Sequence, residues 1–264
     1  WNDNRYIMKG SNLMNFAFTR VLAKELREVE DRHRENLASW WDELASLRES
    51  LREDKSLQLI PAVVVLAYRY LNSDHKLTIN MAGLFKTLYF ANLIHTRVKD
   101  EEEGQTNDQR LQFAILIGDY IFGRILKLLL EINAVEVLDN LALMICGVNE
   151  GLVMRHRLDA EPSEVIKRGN AAIYETAFTT AARLKGLDQK GIELYGQIGC
   201  NLGMALELLI EQKDDLVLPY VETSITLLDE FSKKYGFGDN CLNNLLQDIL
   251  HAVRPVHMPV AGSQ

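Results

Sequence analysis

Tyr195-Gly196-Gln197-Ile198-Gly199-Cys200-Asn201-Leu202-Gly203-Met204-Ala205 is the stretch on which the fold turns. Apolar residues recur in it at three- and four-residue spacing, as at Ile198, Leu202 and Ala205, which is the period of a helix. The pattern extends over residues 190–211 with no proline to break it. Working outward, the chain has only five prolines, Pro61, Pro162, Pro219, Pro255 and Pro259, and the long stretches between them read the same way.

Helices are expected over residues 79–98, 110–133, 134–155, 163–184, 217–235 and 240–253. Residues 11–51 are helical and highly charged, with a break near Asn36 and with Trp40 and Trp41 in the second of the two helices. Residues 59–71 are apolar on nearly all sides, which marks a buried helix whose tyrosine hydroxyls need partners. Turn signals separate these segments at residues 72–74, 103–105, 185–188 and 236–239. No stretch alternates as a strand would. The expectation is one all-α domain of about ten helices over residues 1–253, followed by a loose tail at 254–264 that holds two of the prolines.

With 264 residues, 47% hydrophobic and 25% charged, the composition is that of a globular chain. A net charge of -8 argues against nucleic acid as a partner, because phosphate backbones are held by basic faces. No run is expected to reach the roughly 20 apolar residues of a membrane span. Residues 57–68 come nearest and fall well short, and residues 1–5 do not read as a secretory signal. Cys146, Cys200 and Cys241 are too scattered for a metal pattern or a disulfide framework. They are expected as small core residues in a reducing, cytoplasmic compartment.

Two sets of landmarks carry a resemblance. The first is Leu93-Ile94-His95-Thr96-Arg97-Val98-Lys99-Asp100 with Gly118-Asp119-Tyr120; the second is the opening stretch followed by Leu218-Pro219-Tyr220. In order and spacing they resemble the trans-isoprenyl (polyprenyl) diphosphate synthase family, over residues 56–230. The resemblance implies an isoprenoid-synthase-type helical bundle. It also implies sites for magnesium and diphosphate, and at those positions this chain departs from the pattern.

The family's Gly-Lys-x-x-Arg-Pro clamp falls on residues 56–61, where Leu57 replaces the lysine, Ile60 replaces the arginine, and Pro61 survives. The first Asp-Asp-x-x-Asp motif falls on Thr96-Arg97-Val98-Lys99-Asp100 and keeps one carboxylate, Asp100. Magnesium needs hard oxygen ligands, and Arg97 and Lys99 reverse the local charge. The arginine pair beyond that motif falls on Gln105 and Thr106. The Lys-Thr pair falls on Gly169 and Asn170. The second aspartate motif falls on Ile210-Glu211-Gln212-Lys213-Asp214, with Ile210 at its leading aspartate.

Ionisation of an allylic diphosphate depends on cationic stabilisation of the leaving group, and each lost donor costs on the order of 10²–10³ in rate. The resemblance therefore implies no catalytic residues on this chain and no cofactor. It implies instead a non-catalytic subunit of a heterodimeric long-chain prenyl diphosphate synthase. Such a subunit pairs with a catalytic partner, or with itself, and helps set product length, as for a quinone side chain. In the family, bulky side chains a turn before the first motif plug the product tunnel. Here Tyr89, Phe90, Ala91 and Asn92 stand there, and Ala91 leaves a tunnel open.

Two other functions stay open. An atypical magnesium-dependent prenyltransferase or terpene-synthase-like enzyme would use Asp100, Glu211 and Asp214 as a reduced metal site. A non-catalytic protein would hold a prenyl diphosphate or another apolar ligand in the emptied cavity. The plain alternatives are a solvated acidic loop at residues 100–103, an exposed loop at Asp214-Asp215, a hydrogen-bonded core histidine at His95, and a solvated helix end at residues 155–157 with Lys167 and Arg168.

Overall fold

The computed structural model describes residues 16–96, 109–157 and 160–253. Among these residues the chain forms helices and no strand. In order they are α1 (Ala17–Val21), α2 (Ala23–Asn36), α3 (Ala45–Leu51), α4 (Lys55–Tyr70), α5 (His75–Thr96), α6 (Gln109–Glu131), α7 (Leu138–Arg157), α8 (Pro162–Ile166), α9 (Ala172–Leu184), α10 (Gln189–Ile210), α11 (Leu218–Tyr235) and α12 (Cys241–Val253). The all-helical expectation holds. The tail at 254–264 lies outside the described residues.

α4 and α10 sit in the middle because their sequences leave little polar face to offer water. α4 starts where the Asp54 side chain accepts from the Leu57 backbone N–H at 2.8 Å, a helix N-cap. From Leu59 to Tyr68 every residue is buried. Its buried hydroxyls find partners: Tyr68 meets Thr180 Oγ1 at 3.0 Å, and Tyr70 donates to the Phe237 carbonyl at 3.2 Å. α10 packs on α9 and α11 and touches α4, and α5 packs on α4, α2 and α6. Their apolar faces join one continuous core.

The α9–α10 contact is closer than side chains would permit. A methyl group on Gly199 would lie 2.7 Å from both the Tyr174 carbonyl oxygen and Phe178 Cγ, and one on Gly203 would lie 2.7 Å from the Tyr174 ring. The glycines let the two backbones approach.

Four expectations need correction. Trp40 closes a 3₁₀ turn, Ala38–Trp40, and Trp41 also precedes α3. There the Arg48 guanidinium lies 3.6 Å from the centre of the Trp41 ring, so a cation–π contact holds the indole. The helix expected over 163–184 is interrupted: Lys167–Ala171 form a widened π-type turn in which Gly169 has non-helical ψ of -111°. Cys146 is exposed and not a core residue, while Cys200 is half-buried and Cys241 buried. The stretch Val135–Arg155 is long and apolar enough, by length and composition, to cross a membrane. Glu136, Asp139 and Glu150 interrupt its apolar sequence.

Candidate functional site

The kink at Gly169 faces a cavity of about 410 Å³ between α5, α7, the α8–α9 turn and the end of α10. It gathers many of the positions singled out in the sequence: Tyr89, Asn92, Thr96, Gly169, Asn170, Ile210 and Glu211 all line it. Helical spacing explains the grouping: Tyr89, Asn92 and Thr96 share one face of α5, and Glu207, Ile210 and Glu211 share one face of α10. Close approach of α7 to the kink depends on Gly151, where a methyl group would lie 2.9 Å from the Gly169 backbone nitrogen.

Other expected residues lie elsewhere. Leu57 and Phe90 line a different cavity, Ile60 and Ala91 are fully buried in the core, and Asp214 sits on the 3₁₀ turn Asp214–Leu216. Arg97 and Asp100 lie outside the described residues. Below Tyr89, a gap of only about 10 Å³ remains among Leu88, Phe122, Met144, Ile145 and Val148. That is room for one water at most.

The residue at the centre of the cavity was missed. Glu207, only 4% exposed, accepts from Ser56 Oγ at 2.9 and 3.0 Å, from Asn170 Nδ2 at 2.7 Å, and from the Tyr174 hydroxyl at 3.0 Å. Asn170 Nδ2 also lies 3.5 Å from the Tyr89 hydroxyl, at the limit of a hydrogen bond. Burial pushes the Glu207 carboxyl up to about 7 against the pull of its three donors, with Asp54 adding a smaller push. Burial, then the Glu207 charge, also holds the Tyr89 and Tyr174 phenols well above their ordinary range. The signal in the sequence was a lone carboxylate within the apolar run 202–210. A buried acid is uncommon unless paired.

The donors around Glu207 are turned to this internal carboxylate. The rest of the charged lining is Asp54, Glu211 and Arg155, with Arg155 3.9 Å from Glu211. The set is acidic on balance, so a diphosphate would meet like charge. It also does not fit a magnesium cluster. Among the described residues, no group of three His, Cys, Asp or Glu side chains is placed to hold a metal ion. Glu211 is turned to Lys213 Nζ at 2.6 Å.

His95 packs rather than bonds. Its ring stacks on Phe122 with centroids 5.8 Å apart, and its Nε2 is buried without a hydrogen-bond partner among the described residues, which corrects the expected hydrogen-bonded histidine. A methyl group on Gly118 would fall 2.0 Å from that nitrogen, so Gly118 is the residue that admits the ring. The basic groups at the end of α7 and in the α8–α9 turn are exposed where described, and Arg168 pairs with Glu164 and Glu150.

The helical architecture is that of the isoprenyl diphosphate synthase fold. The chain superimposes on a polyprenyl synthase from Caulobacter crescentus, solved with calcium and isoprenyl diphosphate, with a TM-score of 0.65 at 19% identity; the match covers 90% of this chain and 98% of that one. It superimposes on the geranyl diphosphate synthase small subunit from Antirrhinum majus with a TM-score of 0.59 at 16% identity, covering 83% and 99%. In sequence it is 25% identical over 173 residues to octaprenyl diphosphate synthase of Escherichia coli, covering 60% of this chain and 51% of that protein. The chain thus spans about half the length of the curated relatives it matches. No family model matches it.

Proposed function

We propose that this chain is a non-catalytic partner subunit of a polyprenyl diphosphate synthase. The observation that carries the reading is the Glu207 cavity. It is lined by Thr96, Gly169, Asn170, Ile210 and Glu211, positions to which the resemblance gives family metal and diphosphate residues, yet its donors are committed to an internal carboxylate. The small-subunit neighbour supports it as an example of a synthase built from unlike chains.

The partner surface in this proposal is formed by α6 and α7. Ile115, Leu116, Leu126 and Leu130 on α6, with Leu143 and Val153 on α7, are large apolar side chains left exposed, Leu116 at 67% and Leu143 at 72%. An apolar face of that kind is expected to be covered, and obligate interfaces are large and apolar. In this proposal the chain's influence on product length passes through that face.

The test is prenyl transfer with magnesium, isopentenyl diphosphate and an allylic diphosphate, run on this chain alone and mixed with an intact-motif synthase from the same source. Turnover is expected only in the mixture, with a product length unlike that of the synthase alone. Turnover by this chain alone would overturn the proposal in favour of an atypical enzyme. Silence in both, with a co-purifying apolar ligand, would favour a binding protein. In the mixture, Glu211→Ala with Asp214→Ala should leave the rate within about tenfold, which is about 1.4 kcal/mol in barrier. Leu116→Glu or Leu143→Glu should weaken pairing by at least about tenfold in sedimentation.

A further inference from the structure

The exposed face of α6 has a notch at its centre. Leu116, Gly123 and Leu130 recur every seven residues, which keeps them in one line along the helix. All three are exposed, and so are Tyr120 and Leu126 beside the glycine. Outside its own stretch of helix, a methyl group on Gly123 would meet no heavy atom within 4 Å among the described residues. Gly118, Gly199 and Gly203 are different, because a neighbour closes on each of them. Packing within the chain therefore gives no reason for a glycine at 123. A helix-interior glycine nevertheless lowers the folded-to-unfolded ratio about fivefold against alanine. The missing side chain leaves a hole among Asp119, Tyr120, Leu126 and Lys127, the positions three and four residues away. A hole of that kind takes one large side chain from a facing helix.

The charges around the notch are one-sided. Glu136, Asp139 and Glu150 are exposed along α7 and the turn before it, on the side of Leu143. No lysine or arginine occurs between Val135 and Met154. Arg168 answers Glu150 from the α8–α9 turn at 3.2 Å. On α6, Arg124 and Lys127 both turn to Glu131, at 3.6 and 3.9 Å, and Asp119 adds another carboxylate. A second copy of this chain would bring the same acidic face, and like charges across an interface disfavour the pair. A partner whose apolar seam is edged with lysine or arginine meets no such barrier.

We propose that this face receives a helix of an unlike chain rather than a second copy. That helix seats a large apolar side chain over Gly123 and sets basic residues against Glu136 and Asp139. The inference rests on the partner-subunit reading and deepens it, because it states which chemistry the partner must present. Gly123 is then a docking residue, and its cost to the helix is recovered only in the complex.

Sedimentation of the full chain with the intact-motif synthase from the same source tests it, beside denaturant unfolding of the chain alone. Gly123→Ala is expected to raise the folded-to-unfolded ratio about fivefold and yet to weaken pairing. Gly123→Leu, which fills the hole, should weaken pairing at least tenfold with no loss of stability. A glycine needed only by the fold would lower stability in both variants, and that result would overturn the inference. Glu136→Lys with Asp139→Lys should weaken pairing at least tenfold at about 0.05 M salt, and less at about 0.5 M. Pairing that none of these variants changes would overturn the inference and leave the partner role standing; no pairing in the parent would overturn both. A stable dimer of this chain alone would assign the face to a second copy, and flotation with phosphatidylcholine vesicles would assign it to a lipid surface. Either result overturns the inference.

Discussion

Gly199→Ala is expected to destabilise the chain by about 2 kcal/mol, whereas Gly196→Ala, three residues earlier on the same helix, should change stability by less than about 1 kcal/mol. Both substitutions gain about 1 kcal/mol of helix propensity. The difference lies in what the new methyl group meets. At Gly199 it comes within 2.7 Å of the Tyr174 carbonyl oxygen, a backbone atom that cannot rotate away, and of the Phe178 ring. Phe178 is itself wedged against Tyr195 with ring centroids 4.7 Å apart. Relief therefore requires α9 and α10 to separate, and overpacking of a closed core costs about 1–3 kcal/mol. At Gly196 the nearest atom, at 2.6 Å, is the Thr179 hydroxyl, the end of a side chain that can turn. Denaturant unfolding of the two variants against the parent measures both values. Equal effects would mean that helix propensity, and not interhelical distance, governs these positions.

The same glycines show how the sequence could be legible for fold and opaque for site. Long helices follow from spacing alone, and buried α4 follows from an apolar run with no polar face. Which helix the small residues of α10 meet does not follow, because three- and four-residue spacing fixes a face and leaves its partner open. The resemblance singled out Tyr89, Asn92, Asn170, Ile210 and Glu211 as separate positions, and the structure brings them to one cavity. Periodicity alone does not bring α5, α7 and α10 together. Glu207 belongs to no quoted motif, and its role depends on Ser56, Asn170 and Tyr174 arriving from three different segments. The kink that brings Asn170 there was read as unbroken helix, since one glycine in a helical pattern is common.

Two buried titratable groups should give this chain an unusual stability profile against pH. Glu207 titrates at about 7 in the fold against 4.5 when unexposed to it, so between those values the native state holds a proton that the unfolded state has released. Stability from this group falls as pH rises through that window, by about 3 kcal/mol in all. His33, 3% exposed and bonded through Nδ1 to Thr87 Oγ1 at 2.9 Å, titrates at about 3 in the fold against 6.5 outside it. Here the unfolded state holds the extra proton, and stability is lost as pH falls from 6.5 towards 3, by about 5 kcal/mol. Each slope is about 1.4 kcal/mol per pH unit, and the two oppose each other where the windows overlap, between 4.5 and 6.5. The contributions cancel there, so the parent chain conceals both. Glu207→Gln should unmask the histidine. Relative to the parent, the variant should gain about 3 kcal/mol between pH 5 and pH 8, whatever constant offset the poorer amide hydrogen bonding introduces. His33→Gln should unmask the carboxyl, giving a chain whose stability declines from pH 4.5 to 7. Guanidinium unfolding at pH 5, 6.5 and 8 on the three proteins decides the matter. Parallel profiles would mean that neither group is shifted by its burial. A difference confined to Glu207→Gln would locate the shift in the cavity alone and return His33 to an ordinary imidazole.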